Sequence, residues 1–447
     1  MSYKPLVLVT APVGTRSGYG SHSRDICRSL IAMDKFDIKI WPVRWGSTPQ
    51  NALSEQNPED KPIIERILDT PNMDRQPDIH FHIVVPNEFA TTGKYNIGIT
   101  AGLETTIIPP EWIEGLNRMN LNIVPANFVN ESVSKSVFDK HNEQTEEKIG
   151  EVRCTTPIEV LFEGADTNIY KPTKEFSKEL VDELKAIKDD FCFLFVGHWL
   201  QGSLGNDRKD LGMLIKTFLE TFKNQKKSPG LIIKTSGATP CILDREEIMN
   251  KIIEIKTTVS GDLPNIYVLH GDLRDEEMNE LYNHPKVKAH VSFTHGEGFG
   301  RPLLEASLSE KPVIAPNWGG QVDFISSSNA VLLPGSLNDV KPESLMKGMH
   351  VKGSQWFTVN YNYAAKILKD VFDNYSKYVV KGKKLAIVNN TKFSLDAMTK
   401  KFEEILDKHL PKFDELPTPV KLNLPKLKMV GSTSPPKIKL PKLKKVK

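Results

Sequence analysis

The sequence predicts an α/β protein of two doubly wound parallel sheets facing each other across a cleft, followed by a basic tail. Three observations carry this expectation. Short β-rich apolar runs alternate with helical patterns, as in a parallel sheet covered on both faces. The alternation starts afresh after residue 170. From residue 416 the composition turns to lysine and proline.

In the first half, LVLVTA (6–11), FDIKIWPV (36–43), IHFHIVV (79–85), YNIGITA (95–101) and LNIVPA (121–126) read as strands. A Gly-rich turn after the first leads to a helix over 23–33, where Ile26, Leu30 and Ile31 recur at helical spacing. In the second half, FCFLFVG (191–197), LIIKTSG (231–237), IYVLHG (266–271), KAHVSF (288–293) and PVIAPN (312–317) read as strands. Helical stretches such as 210–222 and 274–282 separate them. Turn formers and a proline near 163–175 mark the join. The expected domains are therefore 1–168 and 169–392. A late helix over 394–410 has Ser394 as its N-cap. It carries Leu395, Met398, Phe402, Ile405 and Leu406 on one face, and should pack back on the first domain. Open parallel sheets bind ligands at the carboxyl ends of their strands.

The composition is that of an ordinary globular protein, 39% hydrophobic and 26% charged. Its 447 residues can bury a core that needs no disulfide or metal staple. Cys27, Cys154, Cys192 and Cys241 form no C-x-x-C pair and read as thiols in a reducing compartment. The opening MSYKPLVLVTAP lacks the pattern of a signal peptide. No run approaches the ~18 apolar residues of a membrane helix. A soluble cytoplasmic protein is expected. Residues 417–447 hold nine lysines and no acid, which leaves the rest of the chain net acidic despite an overall charge of +3. Such a tail should stay extended and seek polyanions, DNA or an anionic membrane.

The sharpest motif is HGEGFGRPLLEAS (295–307), which follows a strand and opens a helix with Pro302 in its first turn. Gly296, Gly298 and Gly300 let backbone amides approach an anion. The helix terminus adds roughly half a positive charge. Glu297 in the loop and Glu305 in the helix set carboxylates at the two ends of this turn. Carboxylates accept hydrogen bonds from sugar hydroxyls, so one can hold a hexose and the other a ribose. A Gly-rich turn bearing two solvent-facing acids is the plain alternative, because glycine runs alone are weak evidence.

Glu297, seven residues and Glu305, within EGFGRPLLEA, resemble the signature of retaining GT-B glycosyltransferases of family-4 type (glycosyl transferases group 1). FVGHWLQGSLGNDRKDLGMLIKTF (195–218), IYVLHGDLRDEEMNELY (266–282) and KPVIAPNWGGQVDFI (311–325) are similar to further segments of that family. So are 104–128 and 162–172, and the likeness runs over roughly residues 5–410. It implies two Rossmann-like domains, a nucleoside-diphosphate sugar as donor, retention at the anomeric carbon and no cofactor. Lys209, aided by Arg208, would neutralise the donor diphosphate. Glu297 would bind the transferred sugar and Glu305 the ribose. Gly298, Phe299 and Gly300 would present backbone amides to sugar and phosphate, and Gly271, Asp272 and Leu273 would frame the base. Gly18 and Gly20 would approach donor phosphates or acceptor, with Tyr19 and His22 lining the cleft. Glu104 stands near where relatives often carry a histidine, and would orient the acceptor hydroxyl. Each position also has a bland reading: Lys209 as a solvated helix-start charge, Glu104 as a capping acid, 11–25 as a simple turn.

One departure stands out. Many members place an arginine after the glycine of FVG, where this chain has His198. Arg208 or Arg301 would have to substitute for it. The chain has no Asp-x-Asp pair, which fits a metal-independent reaction. It loosely resembles bacteriophage-encoded glycosyltransferases, some of which decorate modified DNA bases. The acceptor expected first is such a base, flipped from the duplex, with the tail as tether and the host cytoplasm as setting. A cell-surface glycan or lipid precursor is the rival acceptor. The reading from another class is a nucleotide- or DNA-binding protein that kept the fold without turnover.

Overall fold

A computed structural model describes residues 3–413, apart from 143, 144, 201, 203 and 238. The Lys/Pro-rich tail, and the DNA contact expected of it, lies outside the described residues.

The first sheet is built from Leu6–Ala11 (β1), Asp37–Pro42 (β2), Ile79–Ile83 (β3), Tyr95–Ile99 (β4), Leu121–Val124 (β5) and Ile158–Val160 (β6). Their spatial order is β2-β1-β3-β4-β5-β6, all parallel. The second uses Cys192–Val196 (β7), Gly230–Thr235 (β8), Ile266–His270 (β9), Val287–Val291 (β10), Val313–Pro316 (β11) and Val331–Leu333 (β12). Its order is β9-β8-β7-β10-β11-β12, again all parallel.

Successive strand side chains point to opposite faces, so a strand buried on both sides is apolar throughout. In β7, Phe193 and Phe195 join Leu214, Phe218 and Leu368 in one core. Cys192 and Leu194 join Leu303, Leu304 and Leu385 in the other. In the first sheet, Val7, Val9, Phe81 and Ile97 pack against Ile26, Leu30 and Phe402.

The chain passes between the domains twice, and the two passages are bonded to each other. Ala165 N donates to Phe393 O at 2.9 Å, and Leu395 N to Ala165 O at 2.8 Å. The helix Leu395–His409 then returns to the first sheet. Ser394 Oγ caps it by accepting from Ala397 N at 3.1 Å. Met398, Phe402, Ile405 and Leu406 are buried there, with Phe402 edge-on to Phe81 at 5.8 Å.

The structure departs from the sequence-based expectation in several features, among them a sixth strand in each sheet, β6 and β12, where the sequence reading named five. The helix after β1 spans Gly18–Met33, five residues longer at its start than expected. Ser17 Oγ accepts from Gly20 N at 3.0 Å, and this cap outweighs the poor helix propensity of two glycines. Gly18 and Gly20 therefore occupy the first helical turn instead of a loop. Two antiparallel hairpins were also not anticipated, Phe138–His141 with Lys148–Val152 and Gly335–Asp339 with Gln355–Val359. The strand Gly335–Asp339 is exposed at every position, so it carries no alternation to read.

Truncating Phe402 should show how far the first domain depends on the returning helix. Phe402→Ala is expected to lower unfolding free energy by about 3–5 kcal/mol, while exposed Lys400→Ala stays within about 0.5 kcal/mol. Chemical denaturation of the two variants checks this.

Candidate active site

The loops at the carboxyl ends of both sheets meet at one seam, and buried charges line it. From the second domain come the loop after β10, with Glu297, and the loop after β7, with Arg208 and Lys209. The first domain contributes Glu104 after β4, Asp25 on Gly18–Met33, and Glu163 at the first passage between domains.

Two clusters form. In one, Glu297 Oε1 meets Lys209 Nζ at 2.5 Å, and Glu297 Oε2 lies 3.6 Å from Arg208 Nη1. The same guanidinium reaches across the seam to Glu104 Oε1 at 2.8 Å. Four residues singled out in the sequence are thereby in mutual contact. Burial alone would raise the Glu297 carboxyl, but Lys209 and Arg208 outweigh it and hold its pKa below the usual range. Burial lowers the Lys209 pKa, with Arg208 adding to the shift and Glu297 opposing it.

The second cluster is centred on Arg301. Its Nε meets Glu305 Oε1 at 2.8 Å and its Nη1 meets Asp25 Oδ2 at 2.5 Å, with Glu163 Oε2 at 3.9 Å. Tyr282 donates its hydroxyl to Glu305 Oε2 at 3.4 Å. Arg301 thus serves three carboxylates, of which Asp25 also meets Arg28 Nη1 at 3.4 Å. Burial pushes Glu163 and Glu305 up to about 7; neighbouring carboxylates add to the shift and Arg301 opposes it.

The glycines of the 295–300 turn have different tasks. Gly300 sits at φ +97° and leads into the helix Arg301–Ser307. A Cβ on Gly298 would lie 2.2 Å from Ala101 O, and one on Gly296 would lie 2.7 Å from Glu104 O. The sequence assigned these two glycines to an anion. In the structure they are small because the first domain's 101–104 segment lies against them. Phe299 turns its ring into the core beside Phe324, at 5.0 Å, which leaves only its backbone for the seam.

Gly271 has φ +111° and open space where a Cβ would be. Asp272 beside it is exposed and Leu273 half-buried. A cavity of about 290 Å³ adjoins them, lined by Glu179, Lys234, His270 and Glu277 as well as Gly271 and Leu273. Lys234 Nζ donates to Gly271 O at 2.6 Å. His198 lies with Nδ1 3.3 Å from Ser236 O. The residue keeps an exposed face, and desolvation by its neighbours, then Lys209, lowers its pKa, which favours the neutral imidazole. Tyr19 bonds Thr100 Oγ1 at 2.9 Å and stacks near Trp45 at 4.2 Å, and His22 is buried. Among the described residues no group of His, Cys, Asp and Glu is placed to hold a metal. No helix among them is long and apolar enough to cross a membrane.

Asp25, Glu163 and Lys234 were not anticipated. None sits in a recognisable spacing. Asp25 and Glu163 meet Arg301 only through the pairing of domains, and Lys234 reads in sequence as part of a strand.

Neither a protein-family model nor a curated protein matches the chain by sequence. Solved structures do match. HepE of Anabaena, in complex with UDP and glucose, is similar at 13% identity and TM-score 0.57, over 90% of this chain and 100% of that one. A glycosyltransferase from Rickettsia africae is similar at 14% identity and TM-score 0.60, over 92% and 99%. A sucrose-phosphate synthase from Thermosynechococcus elongatus is similar at 12% identity and TM-score 0.58, over 91% and 99%. The chain has the GT-B fold.

In a GT-B architecture the two sheets must approach closely, and Gly298 marks that approach here. Gly298→Ala places a methyl against backbone that cannot rotate away. It should lower stability by about 1–3 kcal/mol, read by thermal unfolding. The raised carboxyls give a pH signature. Glu163 holds its proton to about 7 in the folded state against an ordinary 4.5. The folded state thus binds more protons through that window, and stability falls as pH rises across it. Glu163→Gln removes this titration. Its melting temperature should fall less than the wild type's between pH 5 and pH 8.

Proposed function

We propose that the chain is a retaining, metal-independent glycosyltransferase that moves a hexose from a nucleoside-diphosphate sugar to an acceptor hydroxyl. The observation carrying this reading is the contact of Glu297, Lys209, Arg208 and Glu104 at the seam of a GT-B fold. Lys209 and Arg208 supply positive charge where a diphosphate leaves, which stabilises the anion that forms as the glycosidic bond breaks. Glu297, held ionised by those cations, accepts hydrogen bonds from the sugar's hydroxyls. The acceptor oxygen attacks the anomeric carbon on the face the phosphate departs from, and its proton passes to a phosphate oxygen. Glu104 orients that acceptor hydroxyl. Glu305 receives the ribose and the Gly271–Leu273 segment frames the base.

HepE is described with UDP-glucose, so a uridine-diphosphate hexose is the first donor to test. The acceptor inferred first is a hydroxyl on a modified DNA base, since nine lysines after residue 416 suit a polyanion. This reading goes with a bacteriophage-like enzyme acting in the host cytoplasm.

A thermal-shift screen against nucleotide sugars should single out one donor, because a ligand selective for the folded state raises its stability. With that donor, Glu297→Ala should cut transfer and donor hydrolysis by about 10²-fold or more while binding persists. Glu305→Ala should chiefly weaken nucleotide affinity. Near-normal turnover in both variants contradicts the assignment. Salt-dependent DNA binding by the full chain, lost on removal of residues 417–447, would support the DNA acceptor. Salt-insensitive binding equal in both forms would favour the surface-glycan precursor.

A further inference from the structure

We propose that His295, two residues before Glu297, is a positioning residue that holds Arg208 and Lys209, Glu297 and the segment bearing Glu104 in one geometry. This rests on the donor reading above and gives a role to a side chain that touches none of the reacting groups.

His295 is fully buried, and both its backbone and its ring are engaged. Its amide donates to Arg208 O at 2.9 Å, which ties the glutamate turn to the loop after β7 through main chain. The ring meets the same loop again. Its Nε2 lies 3.3 Å from Gly205 O and 3.9 Å from Asp210 Oδ1. Asp210 follows Lys209 directly and is itself buried, with its other oxygen accepting from the Tyr361 hydroxyl at 2.7 Å. Arg208 and Lys209 therefore sit on a stretch of loop that His295 faces on either side of them, at Gly205 and at Asp210.

The other edge of the ring faces the hairpin of Gly335–Asp339 and Gln355–Val359. Nδ1 lies 2.7 Å from Phe357 O, and Phe357 N donates to His295 O at 2.9 Å. The imidazole stacks on Trp356, with ring centres 4.3 Å apart and planes inclined by 13°. Beside Trp356 the hairpin crosses the seam. Gln355 N donates to Thr106 Oγ1 at 3.1 Å, and Thr106 N donates to Gln355 O at 2.9 Å. Thr106 stands two residues from Glu104, so the contacts run unbroken from the Lys209 loop through His295 and the hairpin to the first domain. An imidazole suits this place because it offers a flat face for Trp356 and a nitrogen at each edge for the two carbonyls. On the donor reading, the cations help a diphosphate leave only at the right distance from Glu297, which holds the sugar. His295 fixes that distance from behind the charged groups, by contacts that stay in place when those groups change partners.

The test is steady-state hydrolysis of UDP-glucose by the full chain, with GDP-mannose and ADP-glucose run alongside, and thermal unfolding of each variant. His295→Phe keeps an aromatic face against Trp356 and removes both nitrogens. It should lower kcat by about 10- to 100-fold, the scale of a small misplacement of the reacting groups, and leave KM within about threefold. His295→Gln, whose amide can still donate toward Gly205 O, should show a smaller loss of the same kind, and it carries the test should His295→Phe fail to fold. Phe402→Ala, weakened only in the packing of the first domain, should keep its kcat wherever it stays folded. An unchanged kcat in the folded His295 variants overturns the positioning role. So does a rise in KM that matches the fall in kcat, or a loss no larger than that of Phe402→Ala at the same lowering of melting temperature. These outcomes leave the donor reading intact, since the wild-type chain still turns over. Should the wild-type chain hydrolyse none of the three sugars, the donor reading itself fails, and the role of His295 with it.

Discussion

The closed approach of the two domains depends on the pairing of buried charge at their seam. Glu104 and Arg208, each half-buried, pair with each other, and buried Asp25 and Glu163 pair with Arg301; in each case the partners come from different domains. A buried charge without a partner costs several kcal/mol, so such groups are stable only in matched company. Domain placement and ionisation are thus one constraint. Gly296 and Gly298 serve it by letting the 101–104 segment come close enough for Glu104 to reach Arg208. The paired stretches of chain at Ala165 and Phe393–Leu395, next to Glu163, serve it by fixing where the domains join.

The two clusters differ in charge count, and their titration follows from it. Around Glu297, two cations meet two carboxylates, and Glu297 stays ionised below the usual range. Around Arg301, one cation meets three carboxylates, of which Asp25 is shared with Arg28. Burial first, then the neighbouring carboxylates, raises Glu163 and Glu305 to about 7 against the pull of Arg301. The group proposed to hold the transferred sugar therefore has a fixed charge near neutral pH. The groups beside the proposed ribose site exchange protons in that range.

Much of this was legible in the sequence, for physical reasons that also mark where reading stops. Strands such as LVLVTA and FCFLFVG are buried on both faces, so each announces itself as a continuous apolar run. The returning helix shows its burial through Met398, Phe402 and Ile405 at one face. Glu297, Lys209 and Glu104 were singled out through the resemblance of their segments to a glycosyltransferase family, and all three lie in loops that follow strands, where an α/β sheet places its chemistry. The start of Gly18–Met33 could not, since two glycines argue against helix and only the Ser17 cap decides it. The exposed strand Gly335–Asp339 has no hydrophobic pattern. Asp25 and Glu163 stand 276 and 138 positions from Arg301 in the chain, and no local rule joins them.

The charge count has a further consequence for the proposed reaction. The cluster around Glu297 is balanced, so a diphosphate entering it brings excess negative charge unless a carboxylate withdraws or another cation arrives. Glu297 cannot withdraw if it is to hold the sugar. Glu104 can, because its only link to the cluster is the Arg208 bridge, and release of that bridge frees Arg208 for phosphate and Glu104 for an acceptor hydroxyl. On the proposed function, such a partner exchange would keep the charge of the seam matched before and after a donor binds. It also ties donor binding to the position of the 101–104 segment, since Glu104 ends that segment and the glycines beneath it admit no larger side chain.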